Sequence, residues 1–154
     1  MAEQTRVEVP MVTSIQVVFD CADPAGQARF WAEALHYVLP DPPGFATWEE
    51  WARAQGIPEE HWNDAAAIED PAGVGARIFF QKVPEGKVVK NRVHLDLNVG
   101  GGSEVSLQER KLRILAEVER LKALGADDHR GAIDQAGEFW VRMNDPEGNE
   151  FCVQ

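Results

Sequence analysis

Apolar and polar residues alternate from Ser14 to Cys21. Ile15, Val17 and Phe19 fall on one face, and Gln16, Val18 and Asp20 on the other. That two-residue period predicts a strand. Asp23-Pro24 follows, an N-cap residue and a first-position proline, and opens a helix over Ala25–Leu35 whose buried stripe is Ala28, Trp31, Ala32 and Leu35. Tyr37–Leu39 reads as a short strand ended by Asp41-Pro42-Pro43-Gly44. Thr47 stands three residues before Glu50, the spacing of a capping box, so a helix is expected over Trp48–Gln55 with Gly56 as its stop and a further helical turn in Ile57–Trp62. Strands are predicted at Ala65–Glu69, Ala76–Val83 and Val93–Val99. In the last of these Val93, Leu95 and Leu97 take one face, while His94, Asp96 and Asn98 take the other. Gly100-Gly101-Gly102 breaks the chain, and Ser103 is the expected cap of a long helix reaching Leu124. Its apolar positions are Leu107, Leu112, Leu115, Val118, Leu121 and Leu124, and Gly125 is its C′ residue. Strands at Ala126–His129, Phe139–Met143 and Glu150–Val153 complete the chain, with turns around Gly131, Gly137 and Asp145–Asn149.

The order of elements repeats: strand, helix, three strands, twice over. Glu69-Asp70-Pro71-Ala72-Gly73 recurs as Asn144-Asp145-Pro146-Glu147-Gly148, each just before the last strand of its half. The strand from Ile15 to Asp20 aligns with that from Val93 to Asn98, which pairs Gln16 with His94. The expected fold is therefore α+β. Two βαβββ modules, about 13–85 and 90–154, form one curved mixed sheet with helices on the convex face and a cavity on the concave face, and residues 1–12 form a loose tail.

Composition narrows the partners. A net charge of -11 argues against nucleic-acid backbone and against an anionic membrane surface. The two cysteines, Cys21 and Cys152, are too few for a disulfide framework, the first residues lack the apolar core of a signal peptide, and no apolar run approaches a membrane span. A cytoplasmic protein is expected.

The chain resembles the vicinal oxygen chelate superfamily, which holds glyoxalase I, bleomycin-resistance proteins and extradiol dioxygenases, and more narrowly the glyoxalase-like domains common in actinobacteria. The likeness is carried by Asp20-Cys21-Ala22-Asp23-Pro24 leading to Phe30-Trp31, by Phe80–Glu85, by Lys90–Leu97 and by Asp145–Val153. Metal-dependent members take their ligands from the first and last strands of each half; the matching positions here are Gln16, Gln81, His94 and Cys152. Relatives usually have His, Gln or Glu there, with a carboxylate on a closing strand. Two neutral amides beside one histidine and one thiol make a poor site for a hard cation, so no cofactor is favoured, although a divalent metal at those four residues stays open. The resemblance also implies a homodimer.

Two further features bear on function. His94 and Asp96 share one strand face and can act together, the imidazole as acid or base and the carboxylate as its partner; an Asp96 paired with Arg92 or Arg142 is the alternative. Trp48 and Trp62, in the insert with Phe45 and Trp51, are candidates for an aromatic cavity wall, or simply for packing the extra helix. The sequence favours a metal-free small-molecule binder using Gln16, Gln81, His94, Asp96, Cys152, Trp48 and Trp62. It leaves open a metal-dependent lyase, isomerase or dioxygenase, and a metal-free acid/base enzyme with His94 and Asp96 as its catalytic pair.

Overall fold

The computed structural model describes residues 12–128 and 130–154 of the chain. The expected tail therefore lies outside the described residues except for Val12, as does His129 at the end of an expected strand. In chain order the elements are β1 (Gln16–Cys21), α1 (Pro24–Leu35), α2 (Trp48–Ala54), a 3₁₀ turn at Glu59–His61, β2 (Ala65–Ile68), β3 (Arg77–Lys82), β4 (Asp96–Leu97), α3 (Leu107–Ala123), β5 (Ala132–Gln135), β6 (Glu138–Asn144) and β7 (Glu150–Val153).

The repeat is visible in three dimensions. In each half the first strand runs parallel to the last: β1 beside β3, and β4 beside β7. The remaining strands are antiparallel, giving the orders β1-β3-β2 and β4-β7-β6-β5. Isolated bridges stand at corresponding places, Val38 with Glu69 and Asp127 with Asn144. The duplicated Asp-Pro turns share a mechanism. Asp70 accepts from the backbone N–H of Ala72, Val74 and Gly75, and Asp145 from those of Glu147 and Asn149. Each carboxylate thereby replaces a missing turn of backbone bonding.

The mixed α+β class and the two-module plan hold, but the single curved sheet does not. The described strands form two sheets, of three and four strands, with no ladder between β1 and β4. The reason lies in the second half's first strand. The expected Val93–Val99 strand contracts to Asp96–Leu97, although Cys152 and Gln154 still donate to the carbonyls of Leu95 and Leu97. Upstream, the Asn91 N–H turns to the Glu150 carboxylate, and Val93 is left exposed rather than buried.

Two further expectations shift. Ser106, not Ser103, caps α3, accepting from the Glu109 N–H at 3.2 Å, because Gly101 and Gly102 adopt positive φ and keep the chain out of the helix until then. The buried row of α3 is Ile114, Val118 and Leu121, while Leu112 and Leu115 face solvent. Among the described residues of the expected Ala126–His129 strand, Asp127 forms a bridge, to Asn144; β5 instead occupies the segment around the expected turn and ladders with β6.

The core joins the halves. α1 is capped at Asp23 by the Gly26 N–H, and its Trp31 and Phe30 reach Phe151 of β7 with ring centroids 5.2 and 6.2 Å apart. The Trp31 indole donates to the buried Asp145 carboxylate at 3.1 Å. The Glu147 carboxylate accepts from the Ala22 and Asp23 N–H groups, at 2.9 and 2.7 Å for the shorter contacts, and so caps α1 from the other half. At its far end Arg120 of α3 donates to the carbonyls of Glu33 and Ala34. Gln27 is buried in α1, yet neither amide atom has a hydrogen-bond partner among the described residues. No helix among the described residues is long and apolar enough to cross a membrane.

Candidate functional site

The two halves leave a cleft between them, with a volume near 840 Å³. One wall is β1, where Val17 and Phe19 present the half-buried face set by the strand's period, with Trp31 behind them. The other wall is the connection between the halves, residues 83–95, which crosses the opening as a strap. Residues 147 and 149–151 close one end.

The strap is anchored by Glu150. Its carboxylate, nearly buried, receives the Asn91 N–H at 2.9 Å, the Lys87 ammonium at 3.1 Å and the Arg130 guanidinium at 2.7 Å. Burial pushes the Glu150 carboxyl up, but the Asn91 N–H and Lys87 outweigh it and hold the group at about 2. Asn149, beside it, donates through both its backbone and side chain to Asp145.

At the cleft wall stands His94. Its Nε2 lies 3.3 Å from Asp96 Oδ1, and Cys152, opposite Asp96 in the β4–β7 register, completes a cluster whose ligand atoms all lie within 4.8 Å of one another. His94 and Asp96 are exposed, and Cys152 is half-buried. Of the three, His94 lines the cleft and the other two stand against it. Burial pushes the Cys152 thiol up to about 11, helped by the charge of Asp96 beside it. The expected alternative, Asp96 paired with Arg92 or Arg142, is not what forms: its partner is His94, with Cys152 beside them.

The other expected residues do not join this cluster. Gln16 accepts from Arg77 at 2.5 Å, and Gln81 donates to Asp20 at 2.8 Å, each across the β1–β3 register. Neither lines the cleft. Trp48 and Trp62 do not line it either. Their indoles donate to nearby carbonyls, Pro40 at 2.8 Å and Ile57 at 2.9 Å; Trp48 packs on Trp51, and the Arg53 guanidinium covers Trp62. The insert packs upon itself. Sequence reasoning missed the strap and its anchor Glu150; the signal available was an acid opening an otherwise apolar final strand.

The expected four-residue metal set therefore does not assemble as a unit. A different set does: imidazole, carboxylate and thiol, all from the second half. Nitrogen, oxygen and sulfur donors together suit a zinc-class ion, provided the thiol gives up its proton on binding.

A family model described as a glyoxalase-like domain matches residues 16–154. The chain belongs to that family. Among solved structures this glyoxalase-like chain is similar to a possible glyoxalase from Bacillus cereus, at 14% identity and a TM-score of 0.57, covering 94% of this chain and 99% of that one. It is also similar to a mutant of the fosfomycin resistance protein FosX from Listeria monocytogenes, complexed with Mn(II) and 1S,2S-dihydroxypropylphosphonic acid, at 11% identity and a TM-score of 0.58, covering 94% and 90%. A glyoxalase/bleomycin resistance protein/dioxygenase family enzyme from Burkholderia phytofirmans matches at 14% identity and a TM-score of 0.52, covering 90% and 94%. At these identities the likeness is one of fold. No curated protein matches the chain.

Proposed function

We propose that this glyoxalase-like protein binds a small organic molecule in the cleft, with His94 as the polar group offered to it and Asp96 orienting the imidazole. The observation that carries this reading is the His94–Asp96 contact at 3.3 Å on the wall of a cleft near 840 Å³, a volume within the range of small-molecule sites. An apolar β1 wall and a few convergent polar groups are the usual makings of such a site. Mass spectrometry of small molecules released on denaturing the purified protein is the direct test. One compound near one per chain, lost in His94→Ala, is expected. Its absence, together with no thermal shift across a panel of aromatic and carboxylic metabolites, would sink the reading.

A second reading has its own support. The convergence of His94, Asp96 and Cys152 suits a zinc-class ion, with the cleft side left open for a ligand oxygen. Cobalt(II) added to the protein is expected to give a thiolate-to-metal absorption band that Cys152→Ser abolishes. If cobalt gives no band and zinc no thermal shift, the metal reading fails while the cleft reading stands. Pairing with a second copy of the chain, the expected homodimer, is supported by the open outer edges of β1 and β4 and by the exposed Ile15 and Val18. Light scattering across a dilution series tests it.

A further inference from the structure

The strap that crosses the cleft differs in charge from the rest of the chain. Against a net charge of -11, residues 87–92 hold Lys87, Lys90 and Arg92 and no acid. What matters is which charges remain available once the cleft's own bonds are made. Three of the four acids in the wall are engaged. Asp20 accepts from Gln81, Glu147 from the Ala22 and Asp23 N–H groups, and Glu150 from Asn91, Lys87 and Arg130. Lys87 is committed to Glu150 and to the Val89 carbonyl. Among the described residues Arg92 has no polar partner, and Lys90 has only the Asn91 carbonyl at 3.3 Å. Glu85, at the start of the strap, is the one acid of the wall left without a partner among those residues.

The two open cations line the cleft together with His94. Lys90 is near enough to Cys152 for its charge to act on that thiol. Facing them, Val17 and Phe19 offer an apolar surface from β1. The strap adds Val88, Val89 and Val93, all lining the cleft and all strongly exposed, at 91%, 75% and 80%. Three open valines within six residues are unusual on a solvated loop and fit an apolar body held between strap and strand.

We propose that the cleft takes an amphipathic organic anion, its charged head between Lys90, Arg92 and His94 and its apolar body between the strap valines and β1. This inference rests on the cleft being a binding site and adds to it the class of ligand.

Two fluorescent probes test it: 1-anilinonaphthalene-8-sulfonate, and N-phenyl-1-naphthylamine, the same ring system without the sulfonate. The anion is expected to bind roughly tenfold more tightly, the equivalent of about 1.4 kcal/mol, with the gap narrowing as salt is raised. The double variant Lys90→Gln, Arg92→Gln is expected to bring the anion down to the affinity of the neutral probe and to leave the neutral probe unchanged. Val89→Asp, at an exposed position, is expected to weaken both. If the two probes bind equally and the double variant changes nothing, the anion inference is overturned while the cleft reading survives. If Val89→Asp leaves both probes bound as before, they sit elsewhere and the inference is likewise overturned. If neither probe binds, the cleft reading fails and takes the inference with it.

Discussion

Asp96 governs its two neighbours from one carboxylate. It lies 3.3 Å from the His94 imidazole and beside the Cys152 thiol, so it orients a nitrogen while its charge favours the protonated sulfur. Removing its charge should therefore lower the Cys152 pKa from about 11 without restoring the ordinary value, since burial persists. Asp96→Asn is expected to speed iodoacetamide labelling of Cys152 at pH 8.5, and an unchanged rate would refute the effect of the Asp96 charge on the thiol. This part of the site was legible in the sequence because a two-residue period puts His94 and Asp96 on one side, and the family resemblance implies Cys152 on the closing strand beside them. For Trp48 and Trp62 the sequence left open whether they wall the cavity or pack the extra helix. An indole N–H finds its carbonyl wherever the local chain offers one, and neither Pro40 nor Ile57 announces that role. Gln27 gives a second prediction at this scale. A buried amide without partners costs about 1–3 kcal/mol, so Gln27→Met, of similar shape, should raise stability by about 1 kcal/mol in urea unfolding.

Among the elements, α3 shows what periodicity can and cannot say. Its end at Gly125 and two of its buried positions follow from the pattern, but an abundance of leucines drew the stripe toward Leu112 and Leu115, and the row that packs is Ile114, Val118 and Leu121. At about 100° per residue Leu115 lies roughly a quarter-turn and Leu112 nearly a half-turn from the buried row, and the sheet, not the number of leucines, selects the face. Ile114→Ala is accordingly expected to cost about 2–4 kcal/mol, whereas Leu115→Lys should stay within about 0.5 kcal/mol. Equal losses from chemical denaturation would show that the row is wrongly assigned. β4 failed as a long strand for a related reason: alternation was present in Val93–Val99, but Glu150 captured the Asn91 N–H and turned the strand's beginning into strap.

At the scale of the molecule, the strap's anchor makes stability depend on acid. The folded-state pKa of Glu150, about 2, lies below its ordinary 4.5. A carboxylate so depressed contributes in full above its ordinary value and loses that contribution as pH falls from about 4.5 toward 2. Glu150→Gln should lower stability at neutral pH and flatten the stability profile across that window. A variant whose acid slope matches the parent's would refute the linkage.

The two Asp-Pro turns look equivalent and are not. Asp70 satisfies its carboxylate within its own loop, while Asp145 also receives the Trp31 indole from the opposite half. If an ancestral single unit was duplicated, the copies have since lost independence. The first half has placed its largest core side chain in the keeping of the second, and Glu147 returns the dependence by capping α1. Severed within the strap, neither fragment would have a complete interior of its own, but together they would have complementary surfaces. Pieces cut there are expected to regain structure only when mixed, and circular dichroism of each piece alone and of the mixture checks it.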